Sequence, residues 1–326
     1  MILKVLTFFL AALWAGPAVA EPPMLAFPLV CELGKDCFIQ QYVDRDPTSG
    51  AQDYMCRGLS YDTHRGTDIR IAFRKDIYDP GIPVFAAAAG VVRGVRNGEA
   101  DIAQGSKNAP DISGKECGNG VVLEHADGWR TQYCHLRNNS IVVRPGQSIA
   151  EGQLLGRIGL SGETEFPHVH FKLSYGERVV DPFDADEAPN CGPEATPISL
   201  WQKTPTYQPG GLMAAGFSPV VLDFEAIREG PEMIETLPID SPAMVFWGYF
   251  FGLRKGDEIW IEVFDPERGF LTGRVMPVTR NRAEAFRLIG KKNTGEGFAP
   301  GKYLGQIQIK RDGETLAVHR RDLIVK

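Results

Sequence analysis

Two short segments of alternating polarity limit how this chain of 326 residues can fold. Every second residue is apolar in 68–73 and again in 168–173, and a period of two is typical of β-strands with one buried face. The alternation puts Asp68 on the face away from the core. It puts His168 and His170 side by side on the same face of the second strand. We therefore predict two strands that carry carboxylate and imidazole groups opposite their core side.

The side chains on these strands are of the kinds that bind metal ions. His64 lies four residues before Asp68, in a stretch where Gly66 and two threonines disfavour a helix and favour a loop. An isolated His-x-His pair is more often two surface histidines. Here, however, five of the six histidines lie between His64 and His170, and such clustering favours a metal site. Catalytic zinc takes three protein ligands and leaves a position for the water it activates.

Four motifs follow one another between Tyr61 and Asp181. They are His64-x-x-x-Asp68, Gly118–His125 leading to Thr131–Leu136, Pro145-Gly146-Gln147 leading to Gly159–Gly162, and His168–Phe171. In this order they resemble the lysostaphin and LytM-type zinc endopeptidases, which cut peptidoglycan cross-links. The resemblance implies an antiparallel β-sheet peptidase module with one bound Zn²⁺.

The resemblance also implies a role for each of five side chains. His64, Asp68 and His170 would bind the zinc ion, while the catalytic residues His135 and His168 would stand beside the metal-bound water. A neutral imidazole can accept the proton of that water, and a protonated one can stabilise the tetrahedral oxyanion. The sequence leaves open which of the two histidines does which.

The chain departs from the family pattern in the expected substrate groove. Thr164–Phe166 stands where the family usually has Ser-Thr-Gly, and Lys172 stands where a Glu is common. The segment 97–116 resembles an insertion, either a lid over the cleft or an ordinary solvated loop. No ligand position is missing. His125 matches a position that is often histidine without being a ligand, so we interpret it as structural.

Residues 1–20 have the layout of a cleavable secretory signal, with Lys4, an apolar run and Ala18-Val19-Ala20. We therefore expect export to the periplasm or secretion. The apolar run is too short to span a bilayer comfortably. The net charge of -6 gives no support for partners such as nucleic acid or anionic lipid.

Cysteine usage agrees with export, because an even number in an exported chain favours disulfides. The six cysteines are Cys31, Cys37, Cys56, Cys117, Cys134 and Cys191. Thiolate ligation of zinc is the alternative, but no Cys-x-x-Cys is present. Sequence alone leaves the connectivity open. The local pairing of Cys31 with Cys37 is the first expectation, and Cys117 with Cys134 would tie the insertion to the strand that carries His135.

The expected fold class is all-β, with a peptidase module followed by a small immunoglobulin-like β-sandwich. The domains would be an irregular, disulfide-pinned segment over 21–60, the zinc peptidase over 61–187, a Pro/Gly-rich linker over 188–211, and the sandwich over 212–326. Short strands are predicted in the module, among them Ser140 to Val143. In the sandwich, Asp312-Gly313 predicts a hairpin turn, and Tyr303 after Pro300-Gly301 is reminiscent of a tyrosine corner.

The sequence therefore predicts an exported zinc endopeptidase that hydrolyses the peptide cross-links of peptidoglycan by attack of a zinc-bound water. Its partners would be peptidoglycan stem peptides and, through the C-terminal domain, a cell-wall protein. Two alternatives stay open. One is a catalytically silent activator or scaffold in wall remodelling, and the other is an exported zinc peptidase that acts on non-wall peptides.

Overall fold

The computed structural model describes residues 21–186 and 196–326. The expected signal over 1–20, Cys191 and the first part of the expected linker lie outside the described residues. The described chain is nearly all β, as its pattern predicts, and it has two hydrophobic cores and a third cluster between them. Among the residues described, no helix is long and apolar enough to cross a membrane.

The first part of the chain is the peptidase module. Its strands are β1 (Phe38–Gln41), β2 (Thr67–Arg70), β3 (Pro83–Phe85), β4 (Gly90–Arg96), β5 (Asn119–Glu124), β6 (Trp129–Leu136), β7 (Ser148–Ile149), β8 (Leu154–Arg157), β9 (His168–Tyr175) and β10 (Arg178–Val180). Two 3-10 turns, Arg74–Ile77 and Ala126–Gly128, connect some of them. The predicted strand over 140–143 is wrong: this stretch is a loop whose Val142 N donates to Leu155 O.

One antiparallel sheet positions the residues of interest. Its strand order is β1-β2-β9-β6-β5-β4-β7, with β10 paired to β9, while β3 and β8 form a separate pair. The register places Asp68 of β2 opposite His170 of β9, and Cys134 of β6 on the other side of His170. Apolar residues of the same strands, among them Ile69, Val169 and Phe171, fill the core on the opposite face.

Two disulfides and two flanking segments of the chain stabilise the module. Both expected disulfides are present, Cys31–Cys37 and Cys117–Cys134. The segment 21–60, expected to be irregular, contributes β1 to the edge of the sheet. Leu200 and Trp201, which fall within the expected linker, are buried in the module's core.

The second part of the chain is a sandwich of two sheets. A three-stranded sheet has the order β11-β13-β16, and a five-stranded sheet has the order β12-β18-β17-β14-β15. The elements are β11 (Gly211–Ser218), the helix α1 (Phe224–Glu229), β12 (Thr236–Leu237), β13 (Ala243–Leu253), β14 (Glu258–Phe264), β15 (Phe270–Pro277), β16 (Arg282–Lys292), β17 (Gly301–Arg311) and β18 (Glu314–Val325). The sheets share one core, to which β13, β14 and β17 contribute half of the buried side chains.

Local turn chemistry in the sandwich follows the sequence. Asp312 and Gly313 join β17 to β18 with φ of +52° and +83°, the left-handed conformations that a two-residue hairpin loop requires. The Tyr303 hydroxyl donates to the Ala299 carbonyl at 3.0 Å. This bond back to the preceding loop is the defining contact of a tyrosine corner.

The sandwich packs directly against the module next to β2. Phe38 and Phe73 of the module share an apolar cluster with Trp247, Tyr249 and Phe251 of β13. The rings of Phe38 and Phe251 lie 5.3 Å apart, and those of Phe73 and Tyr249 lie 6.2 Å apart. The first sheet of the sandwich therefore covers the edge of the module where β1 and β2 run.

This packing buries Arg70, which lies on the same face of β2 as Asp68. The side chain is fully buried. Its guanidinium pairs with Glu284 Oε1 at 2.7 Å and donates to the Tyr249 hydroxyl at 3.1 Å and to the Gln40 amide oxygen. Glu284 also pairs with Arg228 of α1 at 2.7 Å. The charge is compensated by residues that are distant in sequence.

We predict that Glu284→Gln destabilises the protein by about 3–5 kcal/mol, because it leaves the buried Arg70 without a counter-charge. Urea unfolding measures the change. Burial alone would raise the pKa of the Glu284 carboxyl, but Arg70 and Arg228 hold it below its usual range. The ion pair therefore stabilises the native state above the unfolded pKa of glutamate, and this contribution is lost as the pH falls through the lower folded pKa.

The matched control is Glu225→Gln. Glu225 also pairs with arginines, Arg74 and Arg228, but its side chain is 67% exposed, so we expect a loss below about 1 kcal/mol. Equal losses of unfolding free energy in the two variants would show that the buried ion pair stabilises the protein no more than the exposed one.

Candidate metal centre

Three side chains converge at the point where β2 meets β9. His64 lies in the loop before β2, Asp68 on β2 and His170 on β9. His64 Nε2 is 3.2 Å from Asp68 Oδ1 and 3.2 Å from His170 Nδ1, and His170 Nδ1 is 2.8 Å from Asp68 Oδ1. Ligands 2.0–2.1 Å from a tetrahedral zinc ion lie about 3.3 Å from one another. The spacing therefore fits three ligands of one metal ion.

The hydrogen bond on the outer side of His64 supports this interpretation. His64 Nδ1 lies 2.7 Å from the Tyr42 carbonyl oxygen, which can only accept, so Nδ1 carries the proton. In the neutral ring Nε2 is then a lone-pair acceptor, and it faces another acceptor, Asp68 Oδ1. Such a contact is stabilised by a metal ion between the two atoms or by a second proton on the ring. Burial alone would lower the pKa of His64, but Asp68 raises it. Carbonyl partners of this kind orient metal-binding imidazoles.

His170 is held by a close approach of the backbone at Gly66. A Cβ at this position would lie 2.6 Å from Cε1 and Nε2 of the His170 ring and 2.7 Å from the Phe171 carbonyl oxygen. Only glycine leaves room for the ring. The sequence analysis used Gly66 as an argument against a helix and missed this contact.

His135 and His168 lie beside the three ligand candidates. Their ring centroids are 4.6 Å apart, and the His135 and His170 rings are 5.9 Å apart. His135 Nδ1 is 2.8 Å from the Ser161 carbonyl oxygen, and His168 Nδ1 is 2.9 Å from the Phe166 carbonyl oxygen. Both rings therefore carry their proton on Nδ1. His168 Nε2 lies 3.4 Å from Asp68 Oδ1.

The backbone of His135 has an uncommon conformation, with φ of +61° near the end of β6. Histidine is one of the few residues enriched among those with positive φ. Strained backbone is often found where function fixes a side chain. Hydrogen bonds hold the residue there: its N–H donates to Cys117 O, and its carbonyl accepts from Gly159 N.

Two overlapping sets of donor atoms can hold a metal within the described part of the chain. One is His64, Asp68 and His170, and the other is His135, His168 and His170. Zinc accepts three imidazoles as well as two imidazoles and a carboxylate. The first set has the shorter distances and contains the one carboxylate that balances the metal's charge. Geometry therefore favours the first set and places the other two histidines next to it.

The pKa shifts of the clustered side chains favour binding of a cation. Burial alone would raise the pKa of the Asp68 carboxyl, but the rings of His64 and His168 hold it well below its usual range. Burial lowers the pKa of His170, and burial together with the His168 and His170 rings lowers that of His135 well below its usual range. Asp68 is thus an anion, and burial favours the neutral form of His135 and His170. The pKa of His64 is instead raised by Asp68, so a metal ion that binds His64 must displace any proton on its Nε2.

The other two histidines lie outside the cluster. His125 Nδ1 is 2.7 Å from the Ala89 carbonyl oxygen and its Nε2 is 2.9 Å from the Thr131 hydroxyl. Both ring nitrogens therefore have structural partners. His319 lies on β18 of the sandwich.

A groove of about 790 Å³ lies over the cluster. The peptidase module supplies most of its lining, including Gln40, Gln41, Tyr61, Thr63 and residues 163–166. From the insertion 97–116, one residue, Gln104, lines the groove, and its N–H donates to Thr164 O. Phe224, Arg228 and residues 281–284 of the sandwich form a further wall, which no local pattern in the sequence indicates.

The fold and the cluster define the module as an antiparallel β domain with a candidate His/Asp metal site. Residues 62–182 match the model of Peptidase family M23. This match covers less than half of the chain, and it confirms that the module resembles the LytM-type peptidases.

Curated relatives match the same part of the chain. The cell division protein DipM of Caulobacter vibrioides is 33% identical over 31% of this chain and 14% of its own length. Two peptidoglycan DD-endopeptidases of Vibrio cholerae also match: ShyA is 30% identical over 38% of this chain and 23% of its length, and ShyB is 37% identical over 27% and 19%. The matched segment thus spans less than a quarter of each of these relatives.

We predict that Gly66→Ala weakens zinc binding by roughly 10- to 100-fold, the range typical of residues that orient a metal ligand. The added methyl group would push the His170 ring out of line. Competition with a chromogenic chelator measures the affinity. Gly94→Ala is the control, because a Cβ at Gly94 of β4 would meet nothing within 4 Å. Equal zinc affinities in the two variants would show that Gly66 does not set the ring position.

Proposed function

We propose that this protein is a zinc-dependent endopeptidase that hydrolyses the peptide cross-links of peptidoglycan. The observation that carries the proposal is the complete cluster of His64, Asp68, His135, His168 and His170, of which the last four line one groove of the module that matches the M23 model. Relatives named as peptidoglycan DD-endopeptidases support the choice of substrate. The layout of residues 1–20 supports a periplasmic or secreted location.

His64, Asp68 and His170 would hold one zinc ion through Nε2, a carboxylate oxygen and Nδ1. When bound, zinc polarises the scissile carbonyl and lowers the pKa of a coordinated water to about 7. The protein fixes both ligand imidazoles before the metal arrives, His64 through the Tyr42 carbonyl and His170 through the space left by Gly66. Such preorganisation limits the rearrangement that metal binding requires.

His135 is the better placed of the two remaining histidines to act as the base. Its Nδ1–H donates to the Ser161 carbonyl, so the lone pair is on Nε2, and within the described residues Nε2 forms no hydrogen bond. It can accept a proton from the attacking water and later give it to the leaving amine. His168 Nε2 instead faces Asp68. With its Nδ1–H held by Phe166 O, His168 in its protonated form would donate from Nε2 to this carboxylate or to the developing oxyanion.

Completeness of the cluster argues against the silent-activator alternative, because a protein that acts only as a scaffold does not need all five side chains.

Digestion of purified wall sacculi, with and without a chelator, tests the proposal. Unlinked muropeptides should appear only in the chelator-free sample and return when Zn²⁺ is added. Digestion of casein but not of sacculi would instead support the non-wall peptidase.

We predict that His170→Ala binds less than one tenth of the zinc bound by the parent protein, as measured by elemental analysis of the purified protein. The substitution removes one of three ligands and leaves the other two too few to hold the ion. His319→Ala, on the sandwich, should retain one zinc per chain. Retention of one zinc per chain in all three single variants, His64→Ala, Asp68→Ala and His170→Ala, would contradict the ligand assignment.

We further predict that His135→Ala keeps its zinc but digests sacculi about 10²- to 10⁴-fold more slowly, the loss typical of a general acid-base residue. His125→Asn, in which the amide can replace the bonds to Ala89 and Thr131, is the control and should digest at nearly the parental rate. If His135→Ala digests at the parental rate, another group is the base. If it loses zinc, His135 belongs to the ligand set.

A further inference from the structure

The sandwich domain supplies a wall of the groove, as well as covering the edge of the module. Phe224 and Arg228 reach the groove from α1, and residues 281–284 reach it where β16 begins. This wall is built on a rigid element, because Arg282 and Glu284 are both in register with β13. The sandwich can therefore contribute side chains that contact a bound peptide.

The charges of this wall are unequally compensated. Arg228 is paired with Glu284 at 2.7 Å, Glu225 at 3.3 Å and Glu165 at 3.4 Å. The Arg282 guanidinium, in contrast, forms no hydrogen bond or ion pair with any residue in the described ranges, although the residue is half-buried and lines the groove. A partly desolvated arginine without a counter-ion is uncommon, because its charge loses hydration without gaining a partner.

The surroundings of Arg282 increase its positive potential. Burial and the charge of Arg282 both lower the pKa of Arg287. The acidic residues nearest in sequence do not neutralise Arg282, since Glu284 is committed to Arg70 and Arg228. This end of the wall is therefore a cationic spot that faces the groove.

We propose that Arg282 binds a free carboxylate of the peptide substrate, so that the sandwich domain selects acidic stem peptides for the peptidase module. The proposal rests on the proposed function. A guanidinium presents a planar fork of donors that matches a carboxylate with two parallel hydrogen bonds. The carboxylate comes either from the C-terminus of the peptide or from one of its side chains, and both present the same chemistry.

The test uses a cross-linked muropeptide dimer in three synthetic forms: with all carboxylates free, with only the C-terminal carboxylates converted to amides, and with only the side-chain carboxylates converted. The variant is Arg282→Gln. Arg280→Gln is the matched control, because Arg280 is two residues away, exposed, and does not line the groove. Zinc content and the unfolding midpoint should be unchanged in both variants.

We expect Arg282→Gln to lower kcat/KM for the free-acid dimer by roughly 10- to 100-fold, mostly through KM, as for the loss of a charge-assisted hydrogen bond. With the parent protein, kcat/KM for one of the two amidated dimers should lie below that for the free-acid dimer by the same factor. Arg282→Gln should not lower kcat/KM for that amidated dimer any further. The carboxylate that is blocked in this dimer is the one that Arg282 binds. The proposal is overturned if Arg282→Gln matches Arg280→Gln on the free-acid dimer, or if its loss is equal on all three dimers.

A second measurement separates this proposal from the proposed function. Calorimetry gives the Kd of each dimer for the parent protein and for Arg282→Gln under chelating conditions in which no hydrolysis occurs. If the parent protein cleaves no dimer and no sacculi, the proposed function fails. Weaker binding of the free-acid dimer to Arg282→Gln than to Arg280→Gln would then still support the carboxylate site, and equal binding would overturn it.

Discussion

The antiparallel pairing of β2 with β9 is the constraint on which the site depends. It places Asp68 opposite His170 and Arg70 opposite His168. A shift of one residue would turn each of these side chains to the other face of the sheet. The register is specified by the apolar residues between them, Ile69 and its neighbours on β9, which must point into the core. The hydrophobic pattern that stabilises the sheet therefore also assembles the metal centre.

The same pairing links the centre to the sandwich domain. The Arg70 guanidinium lies 4.6 Å from the Phe166 ring centroid, and the Phe166 ring lies 4.6 Å from that of His168. On its far side Arg70 is held by Glu284 and Tyr249. A continuous set of contacts therefore runs from the sandwich to an imidazole next to the ligands. The C-terminal domain is consequently a structural part of the site.

Sequence reasoning predicted the features that depend on neighbouring residues. The strand that carries His168 and His170 and the Asp312-Gly313 turn follow from periodicity and turn chemistry. The pairings Cys31–Cys37 and Cys117–Cys134 were expected, although the sequence leaves the connectivity open. The burial of Arg70 did not follow, because its partner Glu284 is 214 residues away. The wall formed by 281–284 was missed for the same reason. The stretch 140–143 is apolar enough to suggest a strand, yet it forms only isolated backbone bonds.

Three backbone carbonyls determine which nitrogen of each imidazole is free. Tyr42 O, Phe166 O and Ser161 O accept from His64, His168 and His135. Any residue has a carbonyl, so these positions leave no trace in a motif. The tautomers therefore depend on the positions of the loops that carry these three carbonyl groups.

Covalent and aromatic contacts maintain two of these loops. The Tyr42 ring packs against those of Tyr54, Phe183 and Tyr207 at 5.0–5.4 Å, which fixes the carbonyl that orients His64. The Ser161 hydroxyl donates to Leu136 O and accepts from Asn119 N, close to the disulfide that joins β6 to the insertion. The N-terminal segment, which the sequence presents as peripheral, therefore helps to set the tautomer of His64, and the contacts of Ser161 with β5 and β6 help to set that of His135.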